Sequence, residues 1–528
     1  MLFLGGQSCR PTGPSGAHGP TSSASLTRGD SLYLSPARLA PVRSYIRRSW
    51  RLLSRSHADL AAAATDSKIP HVAGQPWPVY FPPTENKADL ERTLRTAMNP
   101  ATWREIVLTP LPDPADTLVN HGLLYLPHPY VVPGDRFNEM YGWDSYFIVL
   151  GLLRDLDLTR AKGMADNFIY AVTHYGKVLN ANRTYYLTRS QPPFLSETVR
   201  AVYGSIRDRA WLAATIPALD STYRFWTTEP HLAGTTGLSR YFDAGSGPAP
   251  EVESGERDAA GRSHYDRVRA YYKSHDATDG YRIEDFYLRA EDRLTELFYK
   301  GDRSMRESGF DPSDRFGRFG VDVIHYAPVC LNSLLFQMEQ DLAAIHIELG
   351  HPEESARWVA RSDSRKNAMN RLLWDEQSGL YLDYNFQVGQ RRNYPFATTF
   401  FPLWAGAASP QQAHRIQQNL RLFERPGGIV TSTTTSGSQW DAPFGWAPLQ
   451  LMAVQGLRRY GHAADASRIA NAWLSLVVKE FEQHQTIVEK YDVVRRESEV
   501  EAEIRYGYAA NQVGFGWTNG VFLELLAR

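Results

Sequence analysis

The sequence predicts an all-α fold of repeated helical hairpins, and three observations carry that expectation. Apolar residues Leu331, Leu335, Met338, Leu342, Ile345 and Leu349 alternate spacings of four and three, which marks one face of a helix. A grammar of helix, tight turn and helix recurs along the chain. The segments joining one pair to the next are long and carry Trp, Asp, Arg and Gln, content typical of functional loops. An open solenoid and a closed ring both fit. Loops converging on one mouth of a closed ring explain the third observation best.

The elements follow in order. Residues 1–40, dominated by Gly, Ser, Pro and Thr, are expected to be a disordered extension. They lack the basic start and sustained apolar stretch of a secretory signal, so the expectation leans to the cytoplasm. From Pro41, "PVRSYIRRSWRLLSRSHADLAAAA" predicts a helix of the fold, and residues 41–528 are expected to form one domain. "LLRDLDLTRAKGMADNFIYAV" reads as a first hairpin. The Leu331–Leu349 helix ends at Gly350, and Pro352 starts the next through Trp358 and Val359. A short β excursion is expected at "GLYLDYNF", where Leu380, Leu382 and Tyr384 alternate. "PLWAGAASPQQAHRIQQNL" is a further hairpin, and "RYGHAADASRIAN" repeats the Gly-His turn of "ELGHPEESARWVA".

Composition excludes several classes. With 57 basic against 58 acidic residues, no global field attracts nucleic acid or an anionic membrane. No apolar run is long enough to span a bilayer. The two cysteines, Cys9 and Cys330, form neither a disulfide framework nor a metal cluster. Phosphate-loop, HExxH, CxxC and GxSxG patterns are absent from the sequence.

Carboxylates, arginines, amides and tryptophans remain, concentrated in five stretches. "VPGDRFNEMYGWDSYF" holds Arg136, Trp143 and Asp144; "LNANRTYYLTRSQPPF" holds Asn180, Arg189 and Gln191. "RESGFDPSDRFG" presents Asp311 and Arg315 around Gly309, and "QTIVEKYDVV" sets Glu489 behind Ile487 and Val488. "SGSQWDAPFGWAPLQ" has neither helical nor strand period and is expected to be an ordered loop, carrying Gln439, Trp440 and Asp441. Aromatic faces beside amides and carboxylates suit a sugar, and paired carboxylates suit glycoside hydrolysis. Each acid also has an ordinary reading: Asp144 as a helix N-cap, Asp311 in an Asx turn, Glu489 with Lys490 as a solvated pair.

Here the chain resembles the trehalase family. "PGDRFNEMYGWDSYF" and "QWDAPFGWAPLQ" match its two signatures, and "NRTYYLTRSQPPF", "ESGFDPSDRF", "VEKYDV" and "GFGWTNGV" follow in the family's order. The resemblance implies an (α/α)6 toroid, inverting hydrolysis of α,α-trehalose by a single catalytic domain, no cofactor or metal, and a small-molecule disaccharide substrate; the chain is expected to be a monomer. It implies Asp311 as general acid and Glu489 as general base. It also implies sugar contacts from Arg136, Trp143, Asp144, Asn180, Arg189, Ser190, Gln191, Glu251, Gly309 and Arg315, with Gln439, Trp440 and Asp441 lining the same pocket.

Three departures from the family pattern bear on the substrate. The glycine run expected before "GFGWTNG" is replaced by "VVRRESEVEAEIRYGYAANQV", so that Tyr508 stands where the family has Glu. Ala249 replaces the arginine before Pro250-Glu251, and Phe310 replaces the tryptophan before the acid. A changed lid leaves two alternatives: hydrolysis of another small α-glucoside, or an inactive sugar-binding protein on the same scaffold.

Overall fold

A computed structural model describes residues 32–113, 118, 120–255, 257–258, 260–508 and 510–527. Cys9 and most of the expected N-terminal extension lie outside the described residues. The chain is mostly helical. Its helices form where the apolar spacing places them: Val329–Leu349 buries Leu331, Leu335, Met338, Leu342 and Ile345, ends at Gly350, and turns into Pro352–Leu372. The first hairpin is Gly142–Arg154 with Leu158–Tyr175, capped by the Asp157 side chain on the Arg160 N–H at 3.2 Å. The Gly-His turn at Gly461 separates Ala447–Arg459 from Ala463–His484.

These helices close on themselves. Gly142–Arg154 packs on Leu195–Ile206, which packs on Val329–Leu349, then Phe401–Ala405, Ala447–Arg459 and Gly516–Leu526, and the last returns to Gly142–Arg154. Outside them lie Leu158–Tyr175, Arg209–Thr227, Pro352–Leu372 and Ala463–His484. The Pro36–Leu52 helix closes the outer layer against Ala463–His484 and Gly516–Leu526. Residues 36–40, expected to be disordered, are its first turn. Pro36 supplies the preset φ favoured there, and Leu39 packs against the main core.

The closing contact uses two glycines. A Cβ on Gly520 would stand 1.9 Å from the Phe147 carbonyl oxygen, and one on Gly151 would stand 2.6 Å from the Gly520 Cα. Only bare backbones fit at that crossing.

Strand content exceeds the expected excursion. Leu380–Tyr381 and Tyr384–Asn385 form there. In addition, Trp77–Phe81 pairs in parallel with Ile106–Pro110 and Leu123–Leu124, with the Lys87–Ala97 helix between the first two strands. This βαβ unit has its own small core of Val79, Phe81, Leu90, Leu94 and Leu108 beside the helical ring. Among the described residues no helix is long and apolar enough to cross a membrane.

The Gly520→Ala variant is expected to lose about 1–3 kcal/mol of stability through overpacking at this crossing, read as a lowered urea midpoint.

Candidate active site

The loops that enter the ring helices meet at one mouth around a cavity of about 600 Å³. The first wall comes from the start of Gly142–Arg154. Its free N–H groups are taken by its neighbours: Gly142 donates to the Asn180 carbonyl at 3.1 Å, and Trp143 to Gln191 Oε1 at 3.0 Å. Trp143 and Asp144 are thereby fixed in the cavity wall, and Asp144 lies in the first turn, with Tyr141 rather than Asp144 as the N-cap. Arg136 stands at the exposed rim of the same wall.

Arg189 is buried, with Nε and Nη2 on Asn180 Oδ1 at 3.3 and 3.2 Å. Its charge is balanced by Glu251 and by Asp243, the latter at 3.6 Å, and its guanidinium lies 4.8 Å from the Tyr186 ring centre. Gly309 brings the acid loop against Trp143, since a Cβ there would meet the indole at 3.0 Å. Phe310 then packs edge-on to Trp143 and Trp440, filling the place expected for a larger ring.

Asp311 follows, its side chain 32% exposed to the cavity. Burial pushes its carboxyl up to about 6, against the opposing pull of Arg306 and Arg189. Arg306 Nη1 is 3.5 Å from Asp311 Oδ2. The guanidinium is held from behind by Asp302, which accepts from Nε at 3.1 Å and Nη2 at 3.0 Å. Asp302 is kept well below the usual carboxylate range despite its burial, by Arg306 and His264.

The Glu489 side is built by strand pairing. The stretch expected to be a loop throughout holds a strand, Phe444–Trp446, and the start of the Ala447–Arg459 helix; the strand pairs antiparallel with Lys490–Asp492, a non-local partner, which brings the Gln439–Trp440 corner beside Glu489. Trp440 stacks on Trp446 at 3.8 Å with ring planes 6° apart. Gln439 links the Asp311 backbone to Lys490: its amide nitrogen donates to the Asp311 carbonyl, and its oxygen accepts from Lys490 Nζ at 3.2 Å. Lys490 Nζ also donates to Glu489 Oε2 at 3.0 Å, and the Tyr508 hydroxyl donates to Oε1. Trp517 Nε1 and the Thr518 hydroxyl, at the start of the last ring helix, hold the Glu489 and Val488 carbonyls at 3.2 and 2.9 Å. Glu489 and Lys490 are thus a buried pair, not the solvated one that their adjacency allows. Asp144 is raised well above the usual carboxylate range by burial, then by the charges of Glu489 and Asp311.

Three expected contacts lie behind the wall. Arg315 is fully buried and forks onto Asp383 with two 2.6 Å bonds, between the rings of Phe316 and Phe396. Asp383 also accepts the Val329 N–H at 2.9 Å, so this pair ties the acid loop to a ring helix. Asp441 is saturated by Ser436, Ser432, Tyr394 and the Asp314 N–H at 2.6–2.9 Å. Burial, then the Asp314 charge, pushes its carboxyl up to about 7. Ser190 donates its hydroxyl to the Val178 carbonyl at 2.5 Å and its N–H to Glu307 at 3.0 Å. Each is consumed by the scaffold because its polar atoms are paired away from the cavity. Conversely, Arg306, Arg267, Lys490 and Tyr508 line or abut the cavity without having been singled out as contacts. For Arg306, the Asp302–Arg306 spacing of four on a helix was the available signal.

The geometry defines a class: a helical ring whose single mouth presents a raised acid and a second, clamped carboxylate between tryptophans. The trehalase family model matches residues 52–528, and the chain belongs to the trehalase family. The cytosolic neutral trehalase of Pyricularia oryzae is 38% identical over 437 residues, covering 75% of this chain and 58% of its own. That of Saccharomyces cerevisiae is 39% identical over 432 residues, 75% of this chain and 56% of its own. The chain therefore spans a little over half the length of the curated relatives it matches. The neutral trehalase structure from Saccharomyces cerevisiae superposes with a TM-score of 0.76 at 32% identity, over 93% of this chain and 94% of that one. A GH63 mannosylglycerate hydrolase from Thermus thermophilus, in complex with glucose, shares the fold alone, with a TM-score of 0.50 at 20% identity over 76% of this chain and 96% of its own.

Removal of the Arg315 partner by Asp383→Ala leaves a buried charge unpaired and is expected to cost about 3–5 kcal/mol, checked by chemical denaturation.

Proposed function

We propose that the protein hydrolyses α,α-trehalose to two glucose molecules with inversion, on an (α/α)6 toroid. The ring order of the described helices supports the toroid, with Gly142–Arg154, Leu195–Ile206, Val329–Leu349, Phe401–Ala405, Ala447–Arg459 and Gly516–Leu526 as its inner members. One observation carries the chemistry: Asp311, raised to about 6, shares a cavity with Glu489, whose oxygens are held by Lys490 and Tyr508.

In this reading Asp311 gives its proton to the glycosidic oxygen as the bond to the anomeric carbon breaks. Glu489 takes a proton from a water that attacks the opposite face of that carbon. Both acids are reset by exchange with solvent after product leaves. Arg189, Asn180 and Gln191 hold sugar hydroxyls from one side; Gln439 and Trp440 bound the other. Glu251, whose Oε2 is buried without a hydrogen-bond partner among the described residues, is placed to accept a hydroxyl. The arginine lost at Ala249 is offset by Arg267 and Arg306, which line the same cavity. The relatives described as cytosolic support a cytosolic setting for this chain.

A second reading, another small α-glucoside as substrate, draws on Ala249 and Tyr508. It is separated from the first by ranking kcat/KM over a panel of α-glucosides, where fastest turnover of trehalose eliminates it. NMR of the first products is expected to show α- and β-glucose in equal initial amounts. Two α-anomers would overturn inversion. Asp311→Asn and Glu489→Gln are each expected to lower kcat by about 10²–10⁴-fold.

The acid must be protonated to work, so kcat/KM is expected to fall as pH rises through about 6. Arg306 favours the ionised form; its removal in Arg306→Gln is expected to move this alkaline limb to higher pH, measured by initial rates across pH.

A further inference from the structure

The segment leading into Gly516–Leu526 is laid along the base strand and fastened to it at several points. Glu489 N–H donates to the Gln512 carbonyl at 3.0 Å, and Val488 bridges Val513. The Asn511 side chain reads the Lys490 backbone in both directions, accepting from its N–H at 3.3 Å and donating to its carbonyl at 2.8 Å. Further back, Arg505 and Tyr506 N–H groups donate to the Gly437 carbonyl at 2.8 and 3.1 Å, and Arg267 Nη1 holds the Arg505 carbonyl at 2.8 Å. Between these anchors Tyr508 turns into the cavity, with its hydroxyl on Glu489 Oε1. Its ring faces two cations, Lys490 Nζ at 4.1 Å and the Arg136 guanidinium at 5.2 Å from the centroid. Burial and the Glu489 charge keep the phenol protonated, and so a donor, far above its ordinary range.

We propose that Tyr508 is the positioning residue of Glu489, its hydroxyl fixing Oε1 as Lys490 fixes Oε2. The inference rests on the glycosidase reading above. A carboxylate oxygen has two lone-pair directions, so Oε1 keeps one for the attacking water. Water gives its proton to that oxygen, its hydroxide attacks the anomeric carbon, and Tyr508 retains its own proton throughout. The two bonds leave the carboxylate one orientation, and the Tyr508 bond joins the base to the segment over the cavity rim. Besides Lys490, the charged and titratable groups near Glu489 among the described residues include Asp144 and Tyr508; Asp311 lines the same cavity, and the Arg136 guanidinium lies over the Tyr508 ring.

The test compares wild type, Tyr508→Phe and Tyr508→Leu on trehalose across pH, with thermal melts to check folding. Tyr508→Phe keeps the ring over Lys490 and removes only the donor. Its kcat is expected to fall about tenfold with KM within about twofold, as one charge-assisted bond is lost. An active wild type matched by Tyr508→Phe in kcat, with only Tyr508→Leu impaired, would reduce Tyr508 to ring packing and overturn the inference alone. A wild type inert toward every α-glucoside overturns the underlying reading and the inference with it.

Discussion

The structure depends on one close crossing of backbones, where Gly151 and Gly520 let the first and last ring helices touch. The chain enters this ring at Gly142 and completes it at Leu526, so nothing in the order of the sequence brings its ends together. The crossing does. It sets the loop carrying Arg136, Trp143 and Asp144 against the one carrying Glu489, and Trp143 meets Trp517 edge-on at 5.5 Å. A ring left open by a few ångströms would still have its helices and their cores. It would have no cavity, because two of the walls belong to the two termini of the helical array.

Around that cavity, chemically similar groups are given different tasks by their surroundings. Asp302 and Asp441 are buried aspartates, and Asp311 is half-buried in the cavity wall. Arg306, with His264 beside it, keeps Asp302 ionised; burial without a close fork lifts Asp311; burial and the nearby Asp314 raise Asp441, whose hydroxyl donors make it structural. The same sorting applies to arginines. Arg189 and Arg306 reach the cavity, each with a carboxylate partner that stiffens it, whereas Arg315 spends both arms of its fork on Asp383. Full pairing behind the wall and partial pairing within it separate scaffold from site.

How much of this was legible in the sequence follows from the range of each interaction. The Leu331–Leu349 face is a local period, and it forms as spaced. The site stretches are contiguous, so most of their polar residues arrive at the cavity together. What escaped is non-local. The Trp77–Phe81 strand begins with a Trp-Pro pair and finds its partners at Ile106 and Leu123, a pairing that no local period announces. Arg315 reads as a sugar ligand until Asp383, 68 positions away, takes its guanidinium. Likewise Tyr508 reads as a lost contact until strand pairing puts Glu489 under its hydroxyl.

The Asp302–Arg306 fork has an evolutionary consequence. Asp302 lies beneath Arg306, outside the cavity lining, yet the charge it steadies stands 3.5 Å from Asp311. Replacements at that hidden position, or at His264 beside it, would retune the working acidity of the pocket while every group that reads the ligand stayed as it was. Adaptation to a more acidic or more alkaline habitat and adaptation to a new diet can therefore proceed on separate residues.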